Sequence, residues 1–470
     1  MPEPSKKEIK IPVESVKTGM YAEHQKLYPR QSKGLFTNLK ALSGIILLGL
    51  YYILPWINWD ERQIVLFDLP ARKFYIFGLT FWPQDAIYLA FLLIVAGLAL
   101  FFFTTLAGRL WCGFACPQTI WTDVYIWMER LVEGSRQQQM KLDKAPMSPR
   151  KFRIKATKQF LWVTFGLFTG FTFVGYFTPV RELTDAVFTL STSPTETFWI
   201  FFYGFATYGN AGWMREQVCI YMCPYARFQS AMFDKNTLIV AYDEKRGENR
   251  GRRNKKADYK AQDLGDCVDC GLCVQVCPVG IDIRDGNQYQ CISCSLCIDA
   301  CNEVMEKMAY PKNLVSYTTE HSLEGKKTKI FRPRILIYGT LLLTLFIGMG
   351  YSISQRDKVG LDVIRDRNML YRETNDGWVE NVYVLKVMNM TENAQTYKFS
   401  AQGIEGLKLE MPEPEVKVKS GIVTEVIVRL QADPDILTER SSKVYFKIQS
   451  VEHPDITVEE QARFLGPLNI

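Results

Sequence analysis

The chain has 470 residues, 47% of them hydrophobic and 13% aromatic, with a mean hydropathy near neutral and a formal net charge of +6. That length exceeds one ordinary domain, and a neutral average at such apolar content describes membrane spans diluted by polar segments. The modest positive charge falls in particular loops and forms no continuous face, which argues against nucleic acid as a partner and gives the charge its first meaning as a topology signal.

Residues 1–40 are polar, with no apolar core followed by a small-residue cleavage site, so the first apolar stretch reads as a retained anchor. Five stretches have the roughly 20 apolar residues a helix needs to cross a bilayer: Ala41–Asn58, Ala86–Gly108, Gln159–Pro179, Thr197–Trp213 and Ile335–Ser352. Lys and Arg number eight up to Lys40, three between the first two spans, ten from Arg109 to Lys158, and one between Pro179 and Glu196. Positive charge stays inside, so the amino terminus and the long loops are expected in the cytoplasm and the segment after the last span outside it. The expected spans carry no Asp, Glu, Lys, Arg or His in their interiors, which speaks against an ion or proton pump. His24, His321 and His453 are the only histidines and all lie outside the spans, so a membrane haem with two axial His ligands cannot be built.

All twelve cysteines lie between Cys112 and Cys301. The first four form two C-x3-C-P units, Cys112 and Cys116 before Pro117, and Cys219 and Cys223 before Pro224, each at the inner end of an inbound span. On a helix, residues four apart share a face, so each pair is expected to present two thiols side by side, with the proline breaking the turn. The two hairpins read as a weak internal repeat that brings four sulfurs together at the cytoplasmic membrane surface. Such a soft site suits Cu(I), a further cluster or a redox-active disulfide. Buried cysteines can also be mere small hydrophobes, but two matched pairs at matched depth favour chemistry.

A basic run from Lys245 to Lys260 holds eight Lys or Arg and reads as a mobile linker, in contact with anionic lipid, with an acidic electron donor or only with water. Then Cys267, Cys270, Cys273 and Cys277-Pro278 give C-x2-C-x2-C-x3-C-P, and Cys291, Cys294, Cys297 and Cys301 repeat the spacing. This is the two-cluster ferredoxin signature, in which three cysteines wrap one cube and the fourth reaches the other. One 4Fe-4S cluster is therefore assigned to Cys267, Cys270, Cys273 and Cys301, and the second to Cys291, Cys294, Cys297 and Cys277. Structural zinc needs only two separated pairs and fits eight cysteines poorly. No phosphate-cradling glycine motif is present, so electrons must come from an unidentified donor.

Past the fifth span, Glu380–Asn389, Gln395–Ala401, Leu407–Met411, Val423–Leu430 and Lys443–Val451 are short, rich in Val, Ile, Tyr and Phe, and separated by turn residues. They predict an antiparallel sandwich without cysteine, suited to docking a partner or a second copy of the chain. The fold class is thus a multi-domain membrane protein. Its parts are a cytoplasmic segment 1–40, a helical transmembrane region 41–230 with both C-x3-C-P units, a dicluster ferredoxin-like domain 231–334, a last span 335–354 and an all-β sandwich 355–470.

Taken together, Leu27-Tyr-Pro-Arg30, Trp111 to Asp123, Met140 to Pro146, Glu216 to Gln229, both ferredoxin motifs and Asp362 to Asn368 make the chain resemble the FixG, RdxA and CcoG family of cytochrome oxidase accessory proteins. The resemblance covers almost the whole chain. It implies a multi-pass inner-membrane protein of Gram-negative bacteria, with a cytoplasmic polyferredoxin and a periplasmic immunoglobulin-like domain. It also implies a cupric reductase that makes Cu(I) for assembly of cbb-type oxidase, with copper-transport proteins and oxidase assembly factors as partners. By position, the eight ferredoxin cysteines become cluster ligands, and Cys112, Cys116, Cys219 and Cys223 the catalytic, copper-binding or electron-exit site. Two other readings stay open, an electron-transfer subunit relaying from quinol or a cytoplasmic donor to a reductase, and a redox-sensing assembly scaffold.

Overall fold

A computed structural model describes residues 26–59, 62–255, 258–366, 369–391, 393–437 and 439–467. Most of the amino-terminal segment, with His24, lies outside the described residues. The chain divides into two compact units, one built from Met1–Gly44, Ala107–Trp162 and Asn210–Thr328, the other from Ile45–Leu106, Val163–Gly209 and Lys329–Ile470.

All twelve cysteines belong to the first unit. Its ferredoxin-like part is framed by two antiparallel strands, Ile239–Tyr242 and Val315–Thr318, in register from Ile239 against Thr318 to Tyr242 against Val315. Between them run the two cysteine loops, each entering a helix, Leu272–Gln275 in the first and Leu296–Met308 in the second. Val240, Tyr242, Ile283, Ile298, Met305, Leu314 and Val315 close an apolar core against Cys267 and Cys273. The basic run is folded onto this core and is not a linker. Arg246 pairs with Asp266 at 2.6 Å, and Arg253 stacks over Tyr259 and Tyr310. The planar guanidinium explains the difference, since it packs on rings and donates to loop carbonyls where a lysine would stay in water.

Among the described residues three helices are long and apolar enough to cross a membrane, Leu35–Trp56, Ala86–Ala107 and Pro333–Ser354. Each of the last two has 22 residues, about 33 Å of helix. The third and fourth expected spans are helical too, but differently built. Pro149–Val174 begins with a basic half, and Pro194–Thr207 has 14 residues, about 21 Å, before the winding loosens to π-helix over Tyr208–Met214. The first helix also starts earlier than its apolar run does, because the carboxylate of Asp299 caps it by accepting from the N–H groups of Phe36 and Thr37.

In the second unit, residues 359–465 form two antiparallel sheets. One has the order Lys408–Glu410, Val423–Ala432, Val379–Asn389, Val359–Arg365, with the short strand Arg372–Glu373 also pairing with Val379–Asn389, and the other Glu415–Val418, Gln395–Gln402, Ser441–Ser450, Thr457–Leu465. Inward residues alternate, Tyr383, Leu385 and Val387 on one sheet facing Val444, Phe446 and Ile448 on the other, which is the immunoglobulin-like layering. Five of these strands match the expected ones. Val359–Arg365, Glu415–Val418 and Thr457–Leu465 were not expected: Glu415–Val418 has only four residues, Thr457–Leu465 is largely exposed and lacks apolar alternation, and Val359–Arg365 alternates Val359, Leu361 and Val363 yet falls outside the predicted strands.

Candidate iron–sulfur and thiol centre

The two cysteine loops share one backbone path. Positive φ angles fall on either side of the middle cysteine in both, at Asp269 (49°) and Gly271 (62°) around Cys270, and at Ser293 (53°) and Ser295 (60°) around Cys294. Left-handed residues at these places curl the chain so that amides face the sulfurs. The Ser293 N–H donates to Cys291 Sγ at 3.4 Å, and backbone N–H groups of Val279, Gly280 and Ile281 serve Cys277. Cys267, Cys270, Cys273 and Cys301 line one cavity with Tyr242 and Met305. Cys277, Cys291, Cys294 and Cys297 line a second, with Val279 and Ile292, and Cys273 reaches its edge.

Four thiols around each apolar cavity, with amides aimed at sulfur, are the donor set a 4Fe-4S cluster takes. The acid–base chemistry agrees. Burial pushes the Cys273 thiol up to about 12 and Cys294 up to about 11, Lys40 opposing the latter rise. Deprotonated sulfur in such surroundings needs the positive charge of iron. A cluster here would supply one-electron storage, while the chain supplies the amides, the apolar wall and the cation.

The C-x3-C-P units meet this centre directly. Cys112 lies in a short helix, Leu110–Phe114, and Cys116 is extended (φ −65°, ψ 127°) before the helix Pro117–Glu133. Cys219 lies on a π-helical turn, Val218–Met222, and Cys223 is extended (φ −81°, ψ 110°) before the helix Pro224–Met232. Neither pair sits on one regular helix as expected. Proline drives the residue before it out of the helical region and then opens the next helix, so each pair straddles a break. The two pairs are nonetheless near enough to feel one another's charge. Burial raises Cys112 and Cys219 to about 12 each, and in both the neighbouring Cys116 adds to the rise.

Cys112 and Ile220, one from each unit, pack with Cys277 around Val279, Ile292 and Cys294. Gly113 presses on the second cluster loop so closely that a Cβ there would stand 2.9 Å from Cys294 Cα and from the carbonyl oxygens of Ile292 and Ser293. Cys112 Sγ donates to Gln229 Oε1 at 3.2 Å. Among the described residues no three His, Cys, Asp or Glu side chains close on one point as around a single ion.

Buried charges hold the arrangement, and sequence reasoning missed them because a cation near a span end reads first as a topology signal. Arg109 donates to the carbonyls of Tyr289, Cys291 and Ala226, tying the first C-x3-C-P unit to the cluster loop and to the helix after Cys223. Arg215 pairs with Glu129 at 2.7 Å, and Gln118 donates to the carbonyls of Asn210 and Arg215, so both C-x3-C-P units share one frame. Lys40 is buried, 2.8 Å from Asp123. A cation beside anionic sulfur stabilises the reduced state, so Lys40→Met should shift the potential of the adjoining centre to more negative values in an EPR-monitored redox titration. An unchanged or more positive potential would count against this role for Lys40.

Comparison with known proteins agrees with this reading. Three family patterns match, a 4Fe-4S binding domain over residues 89–134, a 4Fe-4S dicluster domain over 214–320, and an "IG-like fold at C-terminal of FixG, putative oxidoreductase" over 349–467. The nitrogen fixation protein FixG of Rhizobium meliloti is 39% identical over 83% of this chain and 81% of its own length. The chain belongs to the FixG/RdxA/RdxB family. Protein RdxB of Cereibacter sphaeroides is 40% identical over 84% of this chain and 85% of its own. The crystal structure of a FixG-related protein from Vibrio parahaemolyticus is 34% identical over 24% of this chain and all of that one, with a TM-score of 0.22. As a FixG-family member with both kinds of 4Fe-4S domain, the chain is an iron–sulfur redox protein with an immunoglobulin-like carboxy-terminal domain.

Proposed function

We propose that the chain is a membrane-anchored cupric reductase serving assembly of a cbb-type oxidase. Single electrons from a cytoplasmic donor enter the centre of Cys267, Cys270, Cys273 and Cys301, pass to that of Cys277, Cys291, Cys294 and Cys297, and leave through Cys112, Cys116, Cys219 and Cys223 to Cu(II). Each electron converts one Cu(II) to Cu(I), and thiolate sulfur is a ligand that favours the product. The observation supporting this is the packing of Cys112 and Gly113 on the Cys294 loop, which brings the first C-x3-C-P unit into contact with the loop of the second centre. In this reading the amino terminus and the cysteine centre face the cytoplasm and the immunoglobulin-like domain the periplasm, where it docks oxidase assembly factors or a second copy.

The test is anaerobic titration of the dithionite-reduced, detergent-purified protein with Cu(II), with Cu(I) read by a specific chelator. Serine at all four C-x3-C-P positions should cut the rate about 10²-fold or more while iron and sulfide of the two clusters persist. Reduction at the native rate would sink the proposal.

A second reading has its own support, since the 4Fe-4S pattern over 89–134 includes Cys112 and Cys116. There the four thiols hold a third cluster and the chain relays electrons to a partner reductase. Iron analysis separates the two, about eight atoms per chain for two clusters against about twelve for three.

A further inference from the structure

One polar concavity of the first unit has no part in the path just described. It has a volume of about 500 Å³ and is lined by Arg30, Arg130, Arg136, Gln31, Gln137 and Gln275, the rest of its wall being proline, glycine and serine. Several other arginines of this unit are neutralised, Arg215 by Glu129, Arg246 by Asp266 and Arg284 by Asp282, whereas Arg109 donates to backbone carbonyls. Arg30, Arg130 and Arg136 form no close ion pair among the described residues, although Asp123 and Glu129 act on Arg130, and Arg30 on Glu303, over longer distances. Arg130 donates to the Pro29 carbonyl at 3.2 Å, and Arg136 to the Tyr28 carbonyl at 2.8 Å and to Gln275 Oε1 at 3.4 Å.

The concavity adjoins the redox centre. Gln275 stands midway between Cys273 and Cys277, each lining a cysteine cavity, and its carbonyl accepts from the Arg30 N–H at 2.8 Å. Cys270, on the same loop, is the exposed one of the twelve cysteines.

The lining decides what fits. It offers hydrogen-bond donors and positive charge and no aromatic or branched aliphatic side chain, so a flavin, nicotinamide or quinone ring finds no packing face of the kind small-molecule sites provide. A hydride carrier would in addition have to split its electron pair. Carboxylates projecting from an acidic protein satisfy the guanidiniums without needing an apolar wall. We infer that this concavity is the docking site of an acidic, soluble one-electron carrier protein, placed to deliver electrons at the exposed edge of the first centre. The inference rests on the proposed reading only in that electrons come in from the cytoplasm. Each docking event moves one electron, the carrier losing it and this chain gaining it, with no bond or proton changed.

The experiment uses the full-length, cluster-loaded protein in detergent and an acidic two-iron ferredoxin as probe, with Kd measured by calorimetry and transfer by stopped flow. Arg30→Gln, Arg130→Gln and Arg136→Gln should each raise Kd about tenfold at low salt, and added salt should weaken wild-type binding in the same way. Arg30 is the cleanest position, since its side chain makes no hydrogen bond among the described residues; Arg136→Lys should recover part of the affinity. Iron and sulfide content verifies that each variant is folded. A ferredoxin Kd indifferent to Arg30→Gln and Arg130→Gln overturns the inference. So does displacement of the ferredoxin by flavin mononucleotide or inorganic phosphate at micromolar concentration, which would mark a small-anion site. Failure of Cu(II) reduction with the arginine effect intact would sink the copper reading alone.

Discussion

Gly113→Val should uncouple copper reduction from cluster reduction. At Gly113 the added side chain meets the Cys294 Cα and two peptide oxygens at 2.9 Å, all backbone and none able to swing aside. The valine must therefore push the Leu110–Phe114 helix, and Cys112 with it, off the cluster loop. Small displacements of reacting groups are costly, and a shift near 1 Å can lower a rate by about 10²-fold. Dithionite should still bleach both clusters in the variant, while Cu(I) formation falls by roughly that factor. Gly113→Ala should fall between the two, since its single methyl meets the same atoms. If the valine variant reduces copper at the native rate, the packing contact is not the electron path. If it loses the iron of the second cluster, the glycine serves folding of that loop instead.

How much of this was legible in the sequence follows from how local each feature is. The doubled cysteine spacing is local, and with it the left-handed residues that repeat at Asp269 and Gly271, then at Ser293 and Ser295. The strands of the carboxy-terminal sandwich were legible where apolar residues alternate, as from Tyr383 to Val387, and not at its exposed margins. That the C-x3-C-P units lie near each other could be guessed from their matched places in two hairpins. What they touch could not. Arg109 meets Cys291 across 182 positions, and Asp299 caps the helix at Thr37 across 262. Such contacts leave no periodicity to read, only a polar residue in an apolar setting, which composition alone assigns to solvent. The helix after Ser193 shows the opposite failure. Its apolar run reads as a span to Trp213, but glycines at Gly204, Gly209 and Gly212 accompany a change to π winding that hydropathy does not register.

The frame joining the two C-x3-C-P units should be the acid-sensitive part of the first unit. Glu129 is buried, which by itself raises its pKa, but Arg215, Lys26 and Lys158 together more than offset burial and hold it at about 2. Asp143, likewise opposed by burial, is pulled well below the usual carboxylate range by bonds from Lys155, Tyr28 and Lys26. Both groups have folded-state values below their ordinary ones, so each stabilises the fold fully above about pH 4.5 and loses that contribution as pH falls toward the folded value. Thermal unfolding of the purified protein should therefore show a falling midpoint from about pH 4.5 down to about pH 2. In Glu129→Gln, Arg215 is left buried without its carboxylate, at a cost of about 3–5 kcal/mol, while Lys158 keeps Glu133 at 2.9 Å. That variant should unfold at lower temperature at pH 7 and lose part of the acid dependence, because the group responsible is gone. Since Arg215 comes four residues before Cys219 and Glu129 sits on the helix that starts after Cys116, the same variant should also slow copper reduction. A full acid dependence in Glu129→Gln would place the sensitivity elsewhere, and an unchanged rate would mean that the two thiol pairs keep their spacing without this ion pair.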